Sequence, residues 1–124
     1  MVVRHGHFGW YELLTTDMEA ARTFYGSVLG WQASDASTPQ FGYSIFSAGG
    51  TQVCGLMELP EDAKRMGATP RWVGYVVVDD VRGTAERLRR LRGKVFVPPT
   101  ETNIGVISIV ADPQGATLAI ALLT

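Results

Sequence analysis

Tyr11-Glu-Leu-Leu-Thr-Thr-Asp17 runs into a helical stretch that stops at Gly30, and Tyr75-Val-Val-Val-Asp79-Asp80 runs into another that stops at Gly93. In each copy the aspartate stands 13 residues before its glycine, and the copies are offset by 63 residues. Farther on, Gly50 and Gly115 each open an apolar run, at an offset of 65. Two copies of one small unit within 124 residues imply a pseudo-twofold fold with a cavity between the units. That cavity is where function is expected.

Around the first copy, Phe8–Leu14 is rich in aromatic and branched residues and predicts a strand. Thr16-Asp-Met-Glu19 fits a capping box, with a hydroxyl at the start and a glutamate three residues on. Met18, Ala21, Phe24, Tyr25 and Val28 recur at helical spacing, and Gly30 supplies a left-handed stop. A short strand over 31–34 and a loop over 35–40 follow. Strands over Phe41–Ser47 and Gln52–Glu58 are joined by Gly49-Gly50, a hairpin signal. Residues 8–58 therefore read as βαβββ. Pro60–Pro70 reads as a linker with one helical turn near Ala63.

The second copy, 72–122, repeats the order. It has a strand over Trp72–Val78 and a helix capped by Asp80 with Val81, Ala85, Leu88 and Leu91 as its stripe. Lys94–Val97 is a strand closed by Pro98-Pro99. Strands over Ile104–Ala111 and Ala116–Leu122 are joined by the turn Asp112-Pro-Gln-Gly115. The fold class is α+β: two βαβββ units, each a curved mixed sheet with a covering helix, forming one domain over 1–124.

With 46% hydrophobic and 19% charged residues, the chain has a core sufficient without metal or disulfide staples. A net charge of −1 gives no global field toward nucleic acid or a membrane. The single cysteine, Cys54, excludes an intramolecular disulfide and suits a reducing compartment. No apolar run is long enough to span a membrane, and Met1-Val-Val-Arg-His-Gly-His7 lacks a signal peptide's apolar stretch. The expectation is a cytoplasmic protein with no nucleic-acid or membrane partner.

Several motifs come together: Thr16-Asp17 before Ala21-Arg-Thr-Phe24-Tyr25, Leu29-Gly30-Trp31, Val78-Asp79-Asp80-Val81 and Asp112-Pro113-Gln114-Gly115. In this order and spacing the chain resembles, over essentially its whole length, the vicinal oxygen chelate superfamily. That superfamily includes glyoxalase I, extradiol dioxygenases, fosfomycin-modifying enzymes and bleomycin-binding resistance proteins. The resemblance implies paired βαβββ units and a homodimer, for which exposed sheet edges give a physical reason. It also implies where metal-dependent members carry ligands. One position is seven residues before each capping aspartate, here Trp10 and Val73; the other is four after each turn glycine, here Cys54 and Ala119. One thiol among four positions is a poor set for the divalent ions of this chemistry. No metal and no cofactor is expected.

Residues two apart share a strand face. If Trp10 faces the cavity, Glu12 and Leu14 do too; Val73 brings Tyr75, Cys54 brings Gln52 and Leu56, and Ala119 brings Thr117. Tyr43 could reach in from the hairpin. The expected ligand-binding set is Trp10, Tyr43, Cys54, Tyr75 and Ala119, an aromatic lining suited to a planar ligand or to a cation over a ring. Glu12 is the candidate catalytic residue: beside Trp10 and partly dry, its carboxyl suits general acid or base work. It would equally suit a counter-charge for a cationic ligand, or simply face solvent or an arginine.

The other reactive residues have plainer readings. His5 and His7 lack a third ligand, and Cys54 lacks an adjacent base. Arg82, Arg87, Arg89, Arg90 and Arg92 read as a solvated helix face that complements the dipole. Three functions follow as expectations. The first is metal-independent binding of a planar or aromatic small molecule. The second is a metal-free isomerase or lyase using Glu12, and the third a metal-dependent glyoxalase-like lyase or dioxygenase.

Overall fold

A computed structural model describes residues 4–39, 42–102 and 105–123. Its elements are β1 (Phe8–Thr15), α1 (Met18–Leu29), β2 (Gln32–Asp35), β3 (Tyr43–Ala48), β4 (Thr51–Glu58), α2 (Glu61–Arg65), β5 (Arg71–Val77), α3 (Val81–Arg90), β6 (Lys94–Thr102), β7 (Gly105–Ala111) and β8 (Thr117–Leu123). The βαβββ order read from the sequence is thus present twice, with α2 as the helical turn of the connection. The expected strand starts at Phe41 and Ile104 lie outside the described residues.

The chain forms two compact units. Trp10–Trp72 is one; the residues preceding Trp10 join Val73 onward in the other. In the first unit the strands are ordered β2-β3-β4-β1, antiparallel except for the parallel β1–β4 pair. In the second the order is β5-β8-β7-β6, with β5–β8 parallel.

Helices α1 and α3 each cover one face of their own sheet. Leu13, Ala21, Phe46, Cys54 and Leu56 form the first core, with Met18, Tyr25 and Trp31 packed against it. Val78, Val81, Ala85, Val110 and Ile120 form the second, with Leu88 and Val95 against it. The predicted α1 stripe is only half inside, since Phe24 and Val28 are exposed. Tyr25 stacks on Trp31 at 5.9 Å and accepts a hydrogen bond from Trp72 Nε1 at 3.3 Å. This fixes Trp72 on the helix side of its unit.

Three local expectations need correction. The N-cap of α1 is Asp17 rather than Thr16; its carboxylate accepts from the Ala20 N–H at 3.0 Å. A carboxylate at this position also faces the positive end of the helix dipole. The helical stretch read as stopping at Gly93 ends earlier: α3 closes at Arg90, and Arg92 takes the left-handed conformation (φ 72°). Gly93 is required for space, because a Cβ there would lie 2.4 Å from Leu88 Cδ2 and 2.9 Å from the Ala111 carbonyl oxygen. Finally, β6 does not close at Val97. It runs on through Pro98 and Pro99, with register shifts at Val95/Val97 and Val97/Thr100 that accommodate prolines on a terminal strand. Asp80 caps α3 as expected, accepting from the Gly83 N–H at 3.0 Å.

Candidate functional site

Strand alternation decides which side chains meet. In β1, Leu13 points to α1, so Trp10, Glu12 and Leu14 take the opposite face. The parallel β1–β4 ladder sets Glu12 beside Gly55, and β3 sets Ile45 beside Gly55 and Tyr43 beside Met57. Trp10, Glu12, Tyr43 and Gly55 therefore share one face of the first unit.

They also touch. Trp10 Nε1 donates to the Tyr43 hydroxyl at 3.0 Å. The Tyr43 ring lies directly over Gly55: a Cβ on that glycine would be 1.8 Å from the Tyr43 hydroxyl oxygen, 2.5 Å from its Cζ and 3.1 Å from Trp10 Nε1. Trp10 and Tyr43 are half-buried, whereas Glu12 is 2% exposed. Burial holds the Tyr43 phenol protonated well above its ordinary range; the nearby charge of Glu12 pushes the same way, and the Trp10 N–H opposes it. The patch offers an aromatic ring pair, a phenol that stays protonated at any physiological pH and a buried carboxyl group.

Gly55 was not among the predicted site residues. A lone glycine in the strand run Val53-Cys-Gly-Leu56 was its one available signal, since such a glycine often marks close approach.

Cys54 does not belong to this face. It packs with Leu13, Ala21, Phe46 and Leu56 under α1, so neither Cys54 nor Leu56 takes the face expected of them. The cause is a difference in phase between the two hairpins. Glu12 pairs with Gly55, five residues after Gly50, whereas Tyr75 pairs with Ala119, four residues after Gly115. Counting four residues from each glycine therefore lands on opposite faces, as a one-residue slip must. The first-unit residue on the Glu12 face is Gly55. Burial pushes the Cys54 thiol up to about 11, so it is a neutral core group.

In the second unit, Val76 and Ile120 pack toward α3, which places Val73, Tyr75 and Ala119 on the other face. Tyr75 and Ala119 are register partners, both buried. His5 Nδ1 accepts from the Asp79 N–H at 3.0 Å, which ties the N-terminal segment to the corner before α3 rather than building a two-histidine site. The α3 arginines are exposed, with three of them in its last turn. A surface depression on α1, lined by Asp17, Glu19, Ala20, Thr23 and Phe24, contains none of the predicted site residues.

Of the positions at which the resemblance implies ligands, Trp10 lies on the Glu12 face and Cys54 in the core of the first unit, while Val73 and Ala119 share one face of the second. Trp10, Val73 and Ala119 have no donor atom suited to a cation, and the Cys54 thiol is buried. Among the described residues, no group of three or more His, Cys, Asp or Glu side chains is placed to hold one. Nor is any helix among the described residues long and apolar enough to cross a membrane.

Comparison with known proteins shows the family and the fold. The model of the Glyoxalase/Bleomycin resistance protein/Dioxygenase superfamily matches residues 7–120. The "Putative glyoxylase CFP32" of Mycobacterium tuberculosis is 33% identical over 94% of this chain and 46% of its own length. The "Anthracycline biosynthesis protein DnrV" of Streptomyces peucetius is 31% identical over 95% of this chain and 42% of its own. The chain thus spans about half the length of the curated relatives it matches. Methylmalonyl-CoA epimerase from Mycobacterium tuberculosis superposes with a TM-score of 0.64 at 17% identity, covering 100% of this chain and 93% of that one. At that identity the likeness is one of fold.

Proposed function

The chain belongs to the glyoxalase/bleomycin resistance protein/dioxygenase superfamily, and on that premise we propose that it is a metal-independent small-molecule-binding protein that holds a planar or aromatic ligand against Trp10 and Tyr43. One observation carries this reading. The Trp10–Tyr43 pair is locked by a hydrogen bond over a glycine that leaves it room, with the buried carboxyl of Glu12 in register on the same face. Rigid aromatic surface with one or two directed polar groups is the usual make-up of a small-ligand site. The relatives named for glyoxylase and for anthracycline biosynthesis are each covered over less than half their length, so neither activity passes to this chain by itself.

A second reading, metal-free isomerase or lyase chemistry with Glu12 as acid or base, draws on the same burial, because a dry carboxyl beside a protonated phenol suits proton transfer.

Titration calorimetry of the purified protein against a panel of planar aromatic compounds tests the proposal. Binding is expected, and Trp10→Leu should weaken it by about threefold or more, since an aromatic contact is worth ~0.5–1.5 kcal/mol beyond area. No binding across the panel overturns the proposal. If a bound compound is also converted, Glu12→Gln that abolishes turnover while sparing affinity moves the assignment to the second reading.

A further inference from the structure

The C-terminal end of α3 gathers more positive charge than the helix itself can use. Residues 87–92 hold four arginines and no acid, +4 in a chain of net charge −1, so the remaining residues carry −5. A net charge near zero hides this asymmetry. We propose that this end of α3 is a docking surface for the phosphate backbone of double-stranded DNA, bound without regard to base sequence. It belongs to the second unit, whereas Trp10 and Tyr43 belong to the first.

Arg87, Arg89, Arg90 and Arg92 are all exposed, because Val81, Ala85 and Leu88 form the stripe that faces the core. Among the described residues, none of these four guanidinium groups has an ion-pair or hydrogen-bond partner. The nearby acids lie toward the other end of the helix. Glu86 precedes the cluster, the Asp80 carboxylate is engaged by the Gly83 N–H, and Asp79 lies 3.6 Å from His5 Nδ1. The negative pole of a helix amounts to about half an elementary charge. It stabilises a cation near the last turn but leaves most of four guanidinium charges uncompensated. One of them is also kept against backbone preference. Arg92 is, among the described residues, the one non-glycine with a positive φ, at 72°. Glycine is the usual residue in that conformation after a helix, because a Cβ is crowded there.

Guanidinium groups stay charged across physiological pH and match phosphate oxygens two at a time. The surroundings select among anionic partners. Leu91 is the exposed apolar side chain of the cluster, too little for the desolvated core of a protein interface. The apolar stripe of α3 is taken up by the core, so it cannot enter a bilayer. No aromatic residue lies between Val81 and Lys94 to stack on unpaired bases. A DNA duplex needs none of these. Its charges, one per ~1.7 Å of axis, are dense enough to meet several arginines within two helical turns.

The test is fluorescence anisotropy of a labelled duplex of about 20 base pairs, titrated with the purified full chain at about 50 mM salt. Binding at roughly micromolar protein is expected, alike for two unrelated sequences. Raising the salt to about 200 mM should weaken it about fortyfold, the slope of about three neutralised phosphates. Arg89→Gln/Arg90→Gln/Arg92→Gln should weaken binding about tenfold or more and flatten that slope. Lys64→Gln/Arg65→Gln on α2 should leave it unchanged. Arg92→Gly gives an independent readout: its denaturation midpoint should rise while its DNA affinity falls about twofold or more. Absence of binding by the wild type overturns the proposal, as does binding that survives the triple substitution. If the triple variant does not fold, Arg92→Gly decides, and an undiminished affinity there overturns the proposal. Tighter binding of a single strand, an RNA duplex, polyglutamate or phosphatidylserine vesicles also overturns it, by assigning the surface to that partner.

Discussion

Gly55 is where a missing side chain matters most. The Tyr43 hydroxyl occupies the volume a methyl group would need, and Trp10 holds it there. Gly55→Ala must push the ring off β4 and break the Trp10–Tyr43 hydrogen bond. The expected cost is ~1–3 kcal/mol in chemical denaturation, typical of overpacking, together with loss of aromatic-ligand binding. Removing the obstructing ring should relieve it: in a Tyr43→Ala background the penalty of Gly55→Ala is expected to fall by about 1 kcal/mol or more. Equal penalties in both backgrounds would mean that Tyr43 does not lie over the glycine. Sequence reading named Trp10 from the resemblance, Glu12 from strand parity with it, and Tyr43 from its place on the hairpin strand. It could not reach Gly55, because a glycine announces only that something comes close, not what.

The helices show how one sequence signal can have two readings. Thr16-Asp-Met-Glu19 and Asp17 alone both describe a plausible start for α1, and only backbone geometry chooses. Asp17 has the extended backbone of a cap and its carboxylate takes the Ala20 N–H. Asp80 does the same for α3, and Gly83 leaves room for it, since a Cβ there would meet Asp80 Oδ2 at 2.4 Å. Asp17→Ala and Asp80→Ala are each expected to cost ~1 kcal/mol, with Asn recovering most of it. Thr16→Ala should stay within about 0.5 kcal/mol, as exposed positions outside such features do. Thermal or denaturant midpoints of the set decide; a Thr16→Ala loss equal to that of Asp17→Ala would restore the capping box. After α3 it is Arg92 that takes the left-handed conformation, and Gly93 serves close packing.

Across the whole molecule, buried neutral acids make stability depend on alkaline pH. The Cys54 thiol sits at about 11 in the fold, against about 8.5 for a free thiol. Between those values the folded chain keeps a proton that the unfolded chain has released, so stability falls as pH rises. Tyr43, also raised, acts in the same direction above about pH 10. The guanidinium midpoint is therefore expected to hold below about pH 8.5 and to decline toward pH 11, with a shallower decline in Cys54→Ala. A level or rising midpoint across that window would contradict the burial of the thiol. By itself the sequence determined the βαβββ order of elements along the chain, twice over, the connecting turn and the family likeness. Those follow from local periodicity, turn chemistry and repeat spacing, all written along one dimension. Tertiary structure alone decided which face each strand residue takes. A single residue of phase between the hairpins turned Cys54 into the core and set Gly55 beside Glu12. Phase is fixed by how strands hydrogen-bond to their neighbours, and that pairing is not encoded in either strand separately.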